Sequence, residues 1–428
     1  MQGRIRELAQ NLALMIGSLV VVLLALEFVV FRYVLVPDDL LENVTIDGVV
    51  RYKPSSQATF RYPDGHETRV TINGQGWNST RAGYRRPRVP GRLRVAVIGD
   101  SYVHARFVDP SQGFPEIVER RLAVAGLDVE VFRFGMDGAP LSQYLNVLRR
   151  EVLAYKPDVV LVQLVHNDFD ESYRALSHRT ASAFLKLTTD SAGRIVEVPP
   201  VDFAPGFADA LRRSSTFRYL YYQTGLQLTL RDLIQRHYWG GGDEWQPAFI
   251  SGGVDIRTIN DHPRNAFYAR YVVAKMKALA EREGFQLAFA MDAVREAIYE
   301  GRKPMDYEIG RLNTIARRLT AEMGLPFLDL QETFASDYAR HRQRFEFPFD
   351  WHWNARGNRV AGEAIARFLL SHPALNLKAV AVTGSTRRMP TTNPRVDGPR
   401  IDGPDFDRPG VDRITPIDGP GRQRAIDA

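Results

Sequence analysis

The sequence predicts an α/β protein of three layers, a flavodoxin-like central parallel sheet between two layers of helices, preceded by one transmembrane helix. Short apolar runs such as Arg94–Ile98 and Asp158–Val165 alternate with segments of helical periodicity, which is the pattern of strands joined by crossover helices. Those runs are nearly continuous in apolar character, as strands covered on both faces require. A long, predominantly apolar stretch, Leu12 to Phe31, lies near the start of the sequence.

That opening stretch of about 20 residues rises about 30 Å as a helix, the thickness of a bilayer core. A cleaved signal would have a shorter apolar region followed by small residues. Here the run leads into Phe31-Arg32-Tyr33, which predicts a retained single-pass anchor over residues 1–36. Arg4 and Arg6 precede it, so the N-terminus is expected in the cytoplasm and everything after Val36 on the periplasmic, extracytoplasmic side. Glu27 sits late in the span, within reach of the outer interface.

Residues 37–91 are polar and broken by Pro and Gly. The alternating runs Thr59–Tyr62 and Thr68–Ile72 predict a small β-rich extension. The main domain is expected over 92–379. Its predicted elements are strands at Arg94–Ile98, Val129–Phe132, Asp158–Val165, Gln286–Met291 and Pro326–Asp329. Helices are predicted at Gly113–Ala125, Leu141–Tyr155, Arg264–Glu283, Tyr307–Met323 and Ala355–Leu370. Residues from about 170 to 262 interrupt the alternation as an insertion or lid. Within it Thr188–Gly193 reads as a hairpin turn, and the aromatic run Phe217–Tyr222 as core of the insertion or lining of an acyl or sugar site. The tail, 380–428, repeats Asp-Gly-Pro and is rich in Arg. It lacks the apolar residues needed to bury a core, so disorder is expected.

The 428 residues are 44% hydrophobic and 25% charged, enough apolar material for a full core. The net charge of +6 is not gathered into a Lys/Arg run beside aromatic residues, so no nucleic-acid partner is indicated. Cysteine is absent, which excludes disulfides, a thiol nucleophile and thiolate metal sites. No histidine–carboxylate cluster has metal-ligand spacing.

In a parallel α/β sheet, ligands bind beyond the carboxyl ends of the strands. Ser101 follows the first strand, Gly138 the second and Asn167 the third, while Asp350 and His352 precede the last helix. A serine hydroxyl needs a base to become a nucleophile, and histidine suits that role. A carboxylate such as Asp350 fixes the imidazole tautomer. The backbone N–H groups of Ser101 and Gly138 and the amide of Asn167 are the donors available to an oxyanion. His104 and His166, nearby, read as a solvated loop histidine and as an ambiguous one. Taken singly each motif is a turn or a cap, with Asn354 the capping residue of the last helix. In this order at consecutive strand ends they point to acyl chemistry.

The four blocks together resemble the SGNH/GDSL hydrolase superfamily. Val97-Ile98-Gly99-Asp100-Ser101-Tyr102 is similar to its nucleophile block, and Phe134-Gly135-Met136-Asp137-Gly138 to its second block. His166-Asn167-Asp168 is similar to its third block, and Asp350 to Gly357 to its last. The resemblance covers about residues 92–372 and implies a three-layer fold, no metal and no organic cofactor. It departs in two places. Val165 stands where the third block has glycine, where it could crowd or reshape the oxyanion site. The last block is Asp-x-His, similar to that of alginate-type polysaccharide acetyltransferases, where many members have Asp-x-x-His. Three readings follow: an ester hydrolase acting on O-acyl groups of cell-envelope carbohydrate, an acyltransferase with the same site, or a non-catalytic membrane-tethered module.

Overall fold

The structure is a computed structural model that describes residues 2–62, 64–174, 180–224, 226, 262–375 and 377. The tail expected over 380–428 and the last third of the expected insertion lie outside the described residues.

Helix α1 (Gln2–Ala25) runs on as a π-helix from Leu26 to Val34. Over its most apolar stretch its mean hydropathy is 2.7 and 6% of it is buried, so it is long and apolar enough to cross a bilayer. Two antiparallel hairpins follow, β1 (Asn43–Ile46) with β2 (Val49–Tyr52) and β3 (Gln57–Arg61) with β4 (Glu67–Thr71). The first turns at Asp47-Gly48, both at positive φ, the pair that a tight hairpin turn selects.

The central sheet contains β5 (Leu93–Gly99), β6 (Val129–Gly135) and β7 (Val159–Leu164). A hairpin apart from it, β8 (Lys186–Thr189) with β9 (Ile195–Val198), frames the expected turn. β10 (Gln286–Met291) and β11 (Phe327–Asp329) complete the sheet in the order β6-β5-β7-β10-β11, all parallel. Successive residues of a strand face opposite sides, and the sequence uses both. Ala96, Ile98, Phe132, Phe134, Val160 and Val162 enter one core, while Val95, Val97, Val129, Val131, Val159 and Leu161 enter another.

The helices that cover the sheet follow from the same logic. After α2 (Ser101–His104), α3 (Phe114–Val124) covers the second face and α4 (Leu141–Arg150) the first. The short α5 (Asp168–Glu171), α6 (Phe207–Leu211) and α7 (Ser215–Arg218) belong to the insertion, and α7 continues as π-helix Tyr219–Gln223. α8 (His262–Glu283), α9 (Arg295–Glu300) and α10 (Gly310–Glu322) precede α11 (Gln331–His341). A two-stranded hairpin, β12 (Glu346–Phe347) with β13 (Asp350–Trp353), then leads into α12 (Ala355–Ser371), which packs with α3 through Val360, Ala361 and Ile365. The hairpin extension shares the first core, where Val49, Val50, Phe60 and Trp77 meet Phe132 and Phe134.

Two expectations are corrected. The helix expected to run to Tyr155 breaks at Glu151. Its carboxylate turns inward to Arg51 at 3.1 Å and to the Tyr155 hydroxyl at 2.9 Å, and a separate 3-10 turn, Val152–Tyr155, follows. The segment after the first strand is a helix, α2, rather than a loop. It lies so close to β6 that a Cβ on Gly135 would meet the His104 backbone nitrogen at 2.2 Å, so Gly135 serves close packing and not a turn. The chain reverses direction across the sheet at β5, and the crevice beyond its carboxyl end is where Ser101 sits.

Candidate active site

β5 delivers Asp100 to the start of α2, where its carboxylate accepts the Tyr102 N–H at 2.9 Å. This cap places Ser101 at the first position of the helix, half-buried at the mouth of the sheet. From the opposite side comes β13. Residues two apart on a strand share a face, so Asp350 and His352 point the same way while Trp351 is exposed.

The structure brings the three together. His352 Nε2 lies 2.6 Å from Ser101 Oγ, and His352 Nδ1 lies 2.5 Å from Asp350 Oδ1. An ionised carboxylate only accepts, so Nδ1 carries the proton and Nε2 accepts from the serine hydroxyl. Burial alone would raise Asp350. The adjacent His352 ring, with its own N–H and the His352 backbone N–H at 2.8 Å, holds the carboxyl below its ordinary range.

A buried network sets the hairpin against α2. Arg295 lies between Glu346 at 3.1 Å and Asp292 at 3.3 Å, and donates to the Tyr102 hydroxyl at 2.7 Å. Tyr102 in turn donates to the Trp351 carbonyl at 3.1 Å, and Trp353 Nε1 donates to Asp292 at 3.0 Å. Phe107 stacks on His352, with centroids 4.6 Å apart and planes 18° apart. The loop carrying Phe107 is held by the β3–β4 hairpin, since the Tyr62 and Thr68 hydroxyls donate to the Arg106 carbonyl at 3.0 and 2.7 Å. The sequence reading missed Tyr102, Phe107, Asp292 and Arg295. The signal available was two charges, Asp292 and Arg295, directly after the apolar run of β10.

The oxyanion candidates occupy adjacent strand ends. Gly138 follows β6 at φ +68, a conformation that favours glycine. Its neighbour Asp137 accepts from His104 Nδ1 at 2.6 Å, and its own N–H donates to the Tyr52 hydroxyl at 3.2 Å. His104, the last residue of α2, is therefore buried, contrary to the solvated loop histidine expected. Asn167 lies between β7 and α5. Its Nδ2 donates to Glu171 at 3.2 Å, and its Oδ1 is buried without a hydrogen-bond partner. His166 resolves as structural, bonding Asn313 at 2.9 Å and so tying the end of β7 to α10. Among the described residues no group of histidine and carboxylate side chains could hold a metal ion.

Two family models match the chain in adjoining parts. The GDSL-like lipase/acylhydrolase family matches residues 95–205, and the SGNH hydrolase-like domain of the acetyltransferase AlgX matches residues 249–393. The chain carries an SGNH/GDSL hydrolase domain. No curated protein matches it. Among solved structures, the acetyl xylan esterase AlAXEase is 14% identical, over 64% of this chain and 98% of that one, with a TM-score of 0.34. The lipase/acylhydrolase from Enterococcus faecalis is 15% identical over 65% and 95%, with a TM-score of 0.34. A catalytic mutant of Axe2, an acetylxylan esterase from Geobacillus stearothermophilus, is 13% identical over 65% and 94%, with a TM-score of 0.36.

Within this SGNH domain Val165 belongs to packing. Its side chain is fully buried in the core shared by Val97, Leu161 and Ala293, and its N–H donates to Asp168 at 2.7 Å. It does not stand as a plug over the strand ends. Val165→Gly is expected to cost about 2–4 kcal/mol through the cavity left behind and the added backbone freedom. Thermal unfolding checks this. A folded variant of unchanged stability would place the side chain outside the core.

Carboxyl groups gather below Ser101. Burial raises Asp100 and Asp168, and the charge of Asp100 adds to the rise at Asp168, which also accepts from the Tyr144 hydroxyl at 2.5 Å. Glu171 is pushed up to about 8, by burial first and by the charge of Asp170 second. A carboxyl whose folded value exceeds its unfolded one favours the fold while protonated, and that contribution is lost as pH rises through the folded value. The melting temperature is therefore expected to fall from about pH 5 to about pH 9, and Glu171→Gln to flatten that slope. Melting curves across the range test it, and equal slopes in both proteins would refute it.

Proposed function

We propose that this SGNH domain is a serine-dependent ester hydrolase acting outside the cytoplasmic membrane on O-acetyl esters of cell-envelope carbohydrate. The observation that carries the reading is the continuous chain Ser101 Oγ, His352 and Asp350, with links of 2.6 and 2.5 Å. In the first step Ser101 Oγ bonds to the ester carbonyl carbon as His352 Nε2 takes its proton, and Asp350 stabilises the imidazolium. The tetrahedral oxyanion accepts from the N–H groups of Ser101 and Gly138 and from the Asn167 amide. Collapse breaks the bond to the alcohol oxygen, which leaves with the proton from His352. Water then attacks the acyl-serine by the same route in reverse.

Glu171 has a part in this. Protonated at neutral pH, it donates to Asn167 Oδ1 once the amide is turned over, an orientation that a hydrogen-bond network decides. Nδ2 then takes the unpartnered position as a donor. An acyltransferase reading is favoured by the AlgX domain match, which spans Asp350 and His352. There a sugar hydroxyl replaces water in the second step.

Ser101→Ala and His352→Ala are each expected to lower kcat by several orders of magnitude, and the double variant by little more, because the two act as a unit. Asp350→Asn should approach the histidine variant, and Asn167→Ala should lower kcat by roughly 10²–10³ with a smaller change in KM. p-Nitrophenyl acetate turnover, with and without oligosaccharide acceptors, measures these losses and separates hydrolysis from transfer. Fluorophosphonate labelling followed by peptide mapping should identify Ser101. Full turnover in a folded Ser101→Ala protein would refute the serine mechanism and place turnover at another site, whereas no turnover in the unaltered protein would leave the non-catalytic module.

The location rests on the apolar run of α1, which starts at Leu12, with Arg4 and Arg6 ahead of that run in the same helix. An alkaline phosphatase fused after the domain should be active and one fused before residue 12 inactive. The reverse pattern would place the site in the cytoplasm.

A further inference from the structure

The N-terminal helix is bonded to the insertion. Glu27 lies in its outer half, and its carboxylate accepts from Ser214 Oγ at 2.7 Å, Ser215 N at 2.8 Å and Thr216 N at 2.9 Å. The two N–H groups are orphan donors of the first turn of α7, and Ser214 is its capping residue. One turn further along, Phe31 is buried against Tyr219, their rings 4.8 Å apart. Gln223 closes the far end of the segment, accepting from Asp38 N at 3.3 Å and donating to the Arg61 carbonyl at 3.2 Å. The aromatic run, expected as core of the insertion or as lining of an acyl or sugar site, is half-buried, with Tyr219 against the span.

The same segment shows apolar side chains to its surroundings. Phe207 is 80% exposed, Leu211 38%, Leu220 44% and Leu226 42%. Clustered apolar exposure of this kind marks an interaction surface. Arg213 on the same segment is exposed as well, beside Arg212 and Arg218.

We propose that residues 206–224 are a second membrane-contact element, lying in the outer headgroup–acyl boundary of the bilayer that α1 spans and clamped to that helix by Glu27. The occupant of the apolar face is the lipid bilayer itself. Depth supports this. Glu27 lies four residues before Phe31, about one helical turn, so its donors sit roughly 5 Å inside the end of the apolar run. That is the depth at which interfacial helices bury their apolar faces, about 5–10 Å. The carboxylate supports it too, since a charge at that level is costly unless paired or hydrogen-bonded, and its three donors all come from this segment. Arginines beside an apolar face suit anionic headgroups. The proposal rests on reading α1 as a retained anchor. It fixes the SGNH domain against the membrane in one orientation.

The absence of cysteine makes the test direct. Single variants Phe207→Cys, Leu220→Cys, Leu19→Cys and Val124→Cys of the full chain are labelled with an environment-sensitive fluorophore and reconstituted in nanodiscs containing anionic and brominated lipids. Labels at 207 and 220 are expected to lose roughly half or more of their emission to the brominated lipids, as at 19, while the label at 124 on α3 is unaffected. Adding Glu27→Ala should restore emission at 207 and 220 and leave 19 quenched. Quenching at 19 with none at 207 and 220 would overturn the proposal and spare the anchor. No quenching at 19 would overturn both.

Discussion

Arg295 keeps its positive charge at zero exposure, because a guanidinium does not lose its proton in a protein. Taking such an ion out of water costs several kcal/mol, and only well-placed counter-charges offset it. Asp292 at the end of β10 and Glu346 on β12 provide them, with the Tyr102 hydroxyl of α2 as a third partner. These groups come from three parts of the chain far apart in sequence. Each is held by the same ion, so α2 and the β12–β13 hairpin stand at a set distance. That distance is the one between Ser101 and His352. The acyl chemistry proposed above depends on an ion pair that touches none of the reacting groups.

The sheet was legible because its signal is local. Continuous apolar runs have one solution when both faces are covered, and β10 matches its expected bounds residue for residue. The strand-end motifs followed from that placement. β12 was not legible, since two residues carry no periodicity, and α11 buries only Phe334. His104 looked like a loop residue because nothing near it in sequence reveals that Tyr52 and Asp137 enclose it. Whether Val165 crowded or merely reshaped the site stayed open because a motif compared by position says nothing about which side of the sheet a side chain enters. In each case the deciding partner is distant in sequence.

The carboxyl groups beneath the strand ends have a shared electrostatic effect. Ionised Asp100, Asp168 and Glu171 would oppose a negative charge developing on a substrate oxygen. Burial raises all three, which lowers the share of negative charge on this floor of the site, most clearly at Glu171, pushed up to about 8. Asp350 goes the other way, held ionised by its histidine. Carboxyl groups around one site are thus shifted in opposite directions by their surroundings alone, a division that acid–base sites exploit.

Asp350 and His352 ride on one four-residue strand, bonded to each other through both ring and backbone. The acid and the base are therefore a single mechanical part, and the serine belongs to another. Displacement of the hairpin would leave the carboxylate–imidazole pair intact and open one gap, the 2.6 Å between Nε2 and Oγ. On the proposed mechanism, the whole difference between an ordinary alcohol at the mouth of the sheet and a nucleophile lies in that one joint.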